Sequence, residues 1–81
     1  MTIKEKMREK TITDLALSSY LSWAGHKLLS VKQKGKKSVF TFEESEILER
    51  DILAFYNRTA RVDPLTFAEI FRNLKARIWG S

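Results

Sequence analysis

The chain has 81 residues, room for one small domain and not for two independent cores, and this excludes a large enzyme scaffold. Fifteen Lys and Arg against ten Asp and Glu give a formal charge of +5, and 43% of the residues are hydrophobic, the composition of a basic globular domain rather than a disordered chain. Without cysteine there is no disulfide framework, thiolate metal site or thiol nucleophile. The charge is unevenly placed: nine basic and three acidic residues lie through Phe40, and six basic and seven acidic follow, so the positive field belongs to the first half.

Taken in chain order, residues 1–10 mix Lys, Glu, Arg and Met without an apolar period, and are expected to form a charged tail or exposed extension that adds nothing to the core. Residues 11–81 then form a single domain. Nothing in the opening has the apolar core of a signal peptide, and no run is long enough to span a membrane, so a cytoplasmic protein without membrane contact is expected.

Thr11 and Asp14 have capping-box spacing, which predicts a helix over about 12–24. Ala16, Leu17, Tyr20, Leu21, Trp23 and Ala24 fall on one face of it, Ser18, Ser19 and Ser22 on the other, and Gly25 supplies a left-handed stop. The runs Leu28–Gln33 and Ser38–Phe42, joined by Lys34-Gly35-Lys36-Lys37, predict a β-hairpin. Leu29 and Val31 would share one face with Phe40 and Phe42, leaving Lys32 and Thr41 on the other.

Ser45 and the surrounding acids predict a second helix over about 46–57 with a stripe of Leu48, Ile52, Phe55 and Tyr56, widened by Ile47 and Ala54. Asp51 lies beside that stripe, where a charge needs a partner, and an Arg from a neighbouring element is the expected one. Ala60–Val62 would add a brief third strand. Asp63-Pro64 opens a last helix that buries Phe67, Ile70, Phe71, Leu74 and Ile78. The fold class is therefore α+β, an αββα(β)α domain with helices on one face of a short antiparallel sheet.

Asp14-Leu15-Ala16-Leu17, Tyr20-Leu21, Gly25-His26-Lys27-Leu28-Leu29, Phe40-Thr41-Phe42, Phe55-Tyr56-Asn57, Val62-Asp63 and Leu74-Lys75 together resemble a small bacterial domain family of unknown function, over about residues 13–79. Those are core and turn positions without a catalytic signature. The resemblance implies the fold unit and neither an activity nor site residues.

The strongest functional feature is the basic hairpin. Lys27, Lys32, Lys34, Lys36 and Lys37 concentrate positive charge on a narrow element, and such a ribbon can track phosphates; the plainer account is a solvated turn whose lysines protect a sheet edge. Trp23 and Trp79 sit at the margins of their helical stripes and are candidates for a partner or homodimer interface. His26 is the only histidine, and packing or hydrogen bonding at the helix terminus accounts for it more simply than catalysis with Ser22 or Ser30 and Asp51. The acids from Glu43 to Glu49 are explained by the helix start without a metal, and three dispersed glycines offer no phosphate-cradling loop.

The expectation is thus a non-catalytic binding domain without a cofactor or small-molecule substrate, contacting nucleic-acid phosphate through its lysine hairpin. The alternative is a protein-interaction or assembly adaptor, and a third class is an enzyme centred on His26.

Overall fold

The computed structural model describes residues 8–78 with their side chains and the helical backbone of Trp79. Its elements run β1 (Glu9–Ile12), α1 (Leu15–Trp23), β2 (Leu28–Lys34), β3 (Lys37–Glu43), α2 (Glu46–Tyr56) and α3 (Pro64–Trp79). The domain is α+β as expected, but its order is βαββαα. The third strand is β1 and not Ala60–Val62, which is irregular.

The sheet order β1-β3-β2 explains that exchange: β3 is flanked on both sides, so no edge of it is free for residues 60–62. Ala60 and Val62 instead pack as coil against the core. Glu9 and Lys10, expected in the charged tail, are the first half of β1, while residues 1–7 of that tail lie outside the described residues. The ladder pairs Lys10 with Phe42 and Ile12 with Phe40, which directs Ile12 into the core.

Helix α1 starts three residues later than expected because Asp14 itself is the cap. Its Oδ1 accepts from the Ala16 and Leu17 amides at 2.9 and 3.2 Å, and Thr11 belongs to β1. The C-terminus follows the expectation: Gly25 takes φ +96°, its amide donates to Ser22 O at 3.1 Å, and the His26 amide donates to Leu21 O at 3.0 Å. These two bonds make a Schellman motif.

The face assigned to solvent on α1 is buried. Ser18 and Ser19 are 0% exposed, because the helix touches α3, α2 and β1 and is covered on more than one side. Small side chains there let neighbouring elements approach closely. Ser19 turns its hydroxyl onto Leu15 O at 2.8 Å, and Ser18 Oγ is buried without a partner among the described residues.

The core is built where α1 meets the inner face of the sheet: Phe40, Phe42, Leu21 and Leu48 are fully buried, with Leu17, Ile12, Tyr20 and Leu74 beside them. Each such large apolar side chain contributes about 1.5–3 kcal/mol by burial. On β2 the inner residues are Leu28 and Val31, not Leu29 and Val31. Two steps along β2, from Leu28 to Ser30, match one along β3, from Phe42 to Thr41, so Leu29 is the extra residue of a bulge.

Helix α2 is capped by Ser45 Oγ, which accepts from the Leu48 amide at 3.0 Å. Its buried stripe is narrower than expected: Leu48, Ile52 and Phe55 face the core, while Tyr56 is 58% exposed and Ile47 is also exposed. Helix α3 follows its pattern except at Phe71: Phe67, Ile70, Leu74 and Ile78 turn inward, Phe71 lies outside the core with its ring 6.2 Å from that of Phe67, and Asp63 Oδ2 accepts from the Thr66 amide at 2.9 Å. Those Thr66 interactions, side chain first and then backbone, hold the exposed Asp63 carboxyl below its ordinary value. No helix among the described residues is long and apolar enough to cross a membrane.

Candidate nucleic-acid interface

The hairpin turn consists of Gly35 and Lys36, and Gly35 occupies φ +62°, a conformation that glycine adopts without strain. The register then places Lys34 directly opposite Lys37, and Lys32 opposite Val39. Phe40 points inward, so by strand alternation Lys32, Lys34 and Lys37 all lie on the outer face of the sheet, with Lys36 at the tip. All four are exposed, and none forms an ion pair among the described residues.

Two like-charge cross-strand pairs stand at opposite ends of this outer face, Lys34 with Lys37 and Glu9 with Glu43. Each costs stability where an opposite-charge pair would add to it. Between them lie Thr11, Thr41 and Ser30, and Thr41 is only 9% exposed under its flanking strands. The outer face therefore carries a lysine pair at the hairpin tip and a glutamate pair where β1 begins.

The structure does not bring Lys27 to the other four lysines. It precedes β2, at the far end of the hairpin, and its carbonyl accepts from the Glu43 amide at 3.2 Å. Seven steps along the strand separate it from Lys34, about 23 Å at about 3.3 Å per residue. Its ammonium belongs to the acidic end.

A lysine that sequence reasoning missed does join the tip. Lys75 of α3 lines a cleft of about 410 Å³ together with Lys36 and Lys37, over a floor that includes Leu15, Phe40 and Ile78. The spacing of Lys75 on α3 identifies it only as solvent-facing; its approach to residues 36 and 37 is a tertiary contact without a local signal. Among the described residues no carboxylate lines this cleft.

The proposed interface tryptophans fare differently from each other. Trp23 is partly buried and packs against the core, with its ring stacked on Tyr20 at a centroid distance of 6.2 Å. The side chain of Trp79 lies outside the described residues. Among the described residues the large exposed apolar side chains are Ile47, Leu53, Tyr56 and Leu65.

His26 is engaged. Its Nε2 donates to Asp51 Oδ2 at 2.6 Å, with both side chains largely shielded, so the partner of Asp51 is this imidazole and not the expected Arg. Tyr20 lies within reach of the same charge: burial, and then the negative Asp51, push its phenol above the ordinary tyrosine value. None of the clefts lined by Thr13 and Lys36, by Lys10 and Tyr56, or by Arg8 and Glu44 includes His26.

Residues 7–80 match a family model, that of a domain of unknown function, DUF5659. The chain belongs to the DUF5659 family. The match covers both the lysine hairpin and the β1 strand, and so reaches further toward the N-terminus than the resemblance at residues 13–79. No curated protein and no solved structure matches the chain. The family description carries no activity, so the site has to be read from its own chemistry.

Proposed function

We propose that this protein acts by binding, and that its hairpin tip contacts the phosphate backbone of nucleic acid. The single observation that carries this reading is the Lys34–Lys37 pair: two ammonium groups face each other across the ladder, beside Lys32 and Lys36, with no acid opposite any of them. A like-charge pair of this kind weakens the hairpin in isolation and is relieved when an anion lies between its members. Phosphate contacts of this type position a protein on its partner without reading base sequence. On this reading the protein works in the cytoplasm of a bacterial cell, where its polyanion is found.

The test is binding of labelled nucleic acid by the intact chain and by a variant carrying Lys34→Ala, Lys36→Ala and Lys37→Ala together. The three side chains are exposed, so the variant should fold as the parent does. Affinity should fall by at least about tenfold, since each lost phosphate contact removes a released counterion. Undiminished binding by the folded variant would contradict the proposal.

A second reading, a protein-interaction adaptor, draws support from Leu53 and Tyr56, one turn apart on α2 and 61% and 58% exposed. Its signature is a dimer or partner complex in sedimentation that is weakened by Tyr56→Ala and indifferent to the lysine substitutions.

A further inference from the structure

Beside the hairpin tip, the β1–α1 turn and the C-terminal half of α3 enclose the cleft of about 410 Å³ already described. Three features set it apart from a solvated groove. Its cations come from two separate elements, Lys36 at the hairpin tip and Lys75 from α3, with Lys37 at the rim where its side chain alternates to the outer face, so that an anion held between Lys36 and Lys75 bridges the sheet and the helix. Among the described residues no acid answers these charges within the cleft. Beneath them lies an apolar floor, with Leu15 and Ile78 only partly buried and Phe40 fully so, while Thr13 and Ser38 add hydroxyls at the rim. Ser38 already donates its proton to Gln33 Oε1 at 3.1 Å, which leaves its oxygen to accept.

We infer that this cleft receives one unpaired nucleotide of a single-stranded nucleic acid, the phosphate between Lys36 and Lys75 and the base against the Leu15–Ile78 floor. The inference rests on the phosphate-binding reading above and deepens it by naming the form of the nucleic acid. The volume lies in the range that accommodates a ligand of nucleotide size, about 300–1,000 Å³. A duplex keeps its bases stacked on one another and offers phosphates but no base plane, so it could use the lysines and not the floor. An unpaired base brings both, and an apolar surface accepts any base because every base has an apolar face. The outer-face lysines Lys32, Lys34 and Lys37 then follow the strand as it leaves the cleft around the hairpin tip.

The experiment compares a labelled oligothymidylate with a duplex carrying the same number of phosphates, on the intact chain and on Lys75→Ala and Lys75→Arg, with thymidine monophosphate as a competitor. The inference predicts that the strand binds at least about tenfold tighter than the duplex, as apolar burial of one base against the floor would give. Lys75→Ala should weaken the strand by about fivefold and the duplex by less than about twofold, and Lys75→Arg should restore the strand, as expected for one charge that only the strand engages. The mononucleotide should compete only in large excess. Equal affinity for strand and duplex, or equal loss of both in Lys75→Ala, would overturn the single-strand inference while leaving the phosphate reading intact. A mononucleotide that binds as tightly as the strand would replace the strand with a free nucleotide. Absence of binding to both nucleic acids would remove the phosphate reading and this inference with it.

Discussion

His26 Nε2 and Asp51 Oδ2 meet at 2.6 Å, and this one hydrogen bond ties the loop after α1 to the middle of α2. The imidazole is delivered by the Schellman motif that ends α1, in which Gly25 turns the chain and the His26 amide bonds back to Leu21. The carboxylate is delivered by its place beside the Leu48–Ile52–Phe55 stripe. The pair therefore sits at the edge of the core, and its removal should be felt as lost stability: His26→Ala should cost about 1–3 kcal/mol, the worth of a shielded hydrogen bond to a charged group. A double-mutant cycle with Asp51→Ala, measured by denaturant unfolding, should return a coupling of about 1 kcal/mol. Strict additivity of the two single effects would mean that the contact contributes nothing.

The same carboxylate acts on Tyr20. Burial and the Asp51 charge both favour the neutral phenol in the folded protein, so its titration lies above the ordinary value of 10.0. A group whose folded value is raised contributes its full stability below the unfolded value and loses it as pH climbs toward the folded one. Stability should therefore decline on the alkaline side as Tyr20 is forced to ionise. Followed by tyrosinate absorbance in a Tyr56→Phe background, Asp51→Asn should bring the Tyr20 titration part of the way back and leave the contribution from burial. A Tyr20 that titrates at the ordinary value in both proteins would contradict this.

Ser18 and Ser19 are adjacent and fully buried, yet they should respond differently to alanine. Ser19 spends its hydroxyl on Leu15 O, whereas Ser18 Oγ has no partner among the described residues. Relief of an unpaired buried hydroxyl, together with the better helix propensity of alanine, should make Ser18→Ala more stable by about 1 kcal/mol. Ser19→Ala should stay within about 0.5 kcal/mol of the parent, the lost bond and the gained propensity offsetting each other. Thermal unfolding distinguishes the two, and destabilisation by Ser18→Ala would show that its hydroxyl is satisfied in solution.

Helix α2 ends with the hydrogen bonds of α1 repeated on a different residue. Arg58 takes φ +62°, its amide donates to Phe55 O at 3.1 Å, and the Thr59 amide donates to Ala54 O at 2.9 Å. Here an arginine holds the place that glycine holds after α1. A side chain in that conformation costs about 1–2 kcal/mol, and glycine returns part of the gain through its freer unfolded chain. Arg58→Gly should thus be more stable by about 0.5–1 kcal/mol, while Arg58→Ala, which keeps a Cβ, should gain nothing. Equal melting temperatures for the Gly and Ala variants would argue against strain at this position.

Much of the fold was legible because local signals agreed: Gly35 between two β-branched runs, Ser45 before α2, and Asp63-Pro64 before α3 each lie where the structure has the turn or cap. The strand β1 was obscured by the charged residues around it, although Thr11-Ile12-Thr13 is a β-branched run that favours extended backbone. The burial of Ser18 and Ser19 could not be read from helical period alone, since that period assumes one covered face and α1 has more. No residue type announces the bulge at Leu29. In the candidate site, the hairpin lysines were visible as a cluster, but their common face depends on register, the exclusion of Lys27 depends on distance, and the arrival of Lys75 depends on tertiary packing.

The most direct measurement is the salt dependence of duplex binding, for the parent and for a variant with Lys32, Lys34, Lys36 and Lys37 all changed to Ala. If each of the four ammonium groups displaces one counterion, a log–log plot of affinity against salt should have a slope of roughly −3 to −4 in the parent and should be nearly flat in the variant. A variant that folds normally and retains both the affinity and the slope of the parent would show that the lysine hairpin is not where this protein meets a polyanion.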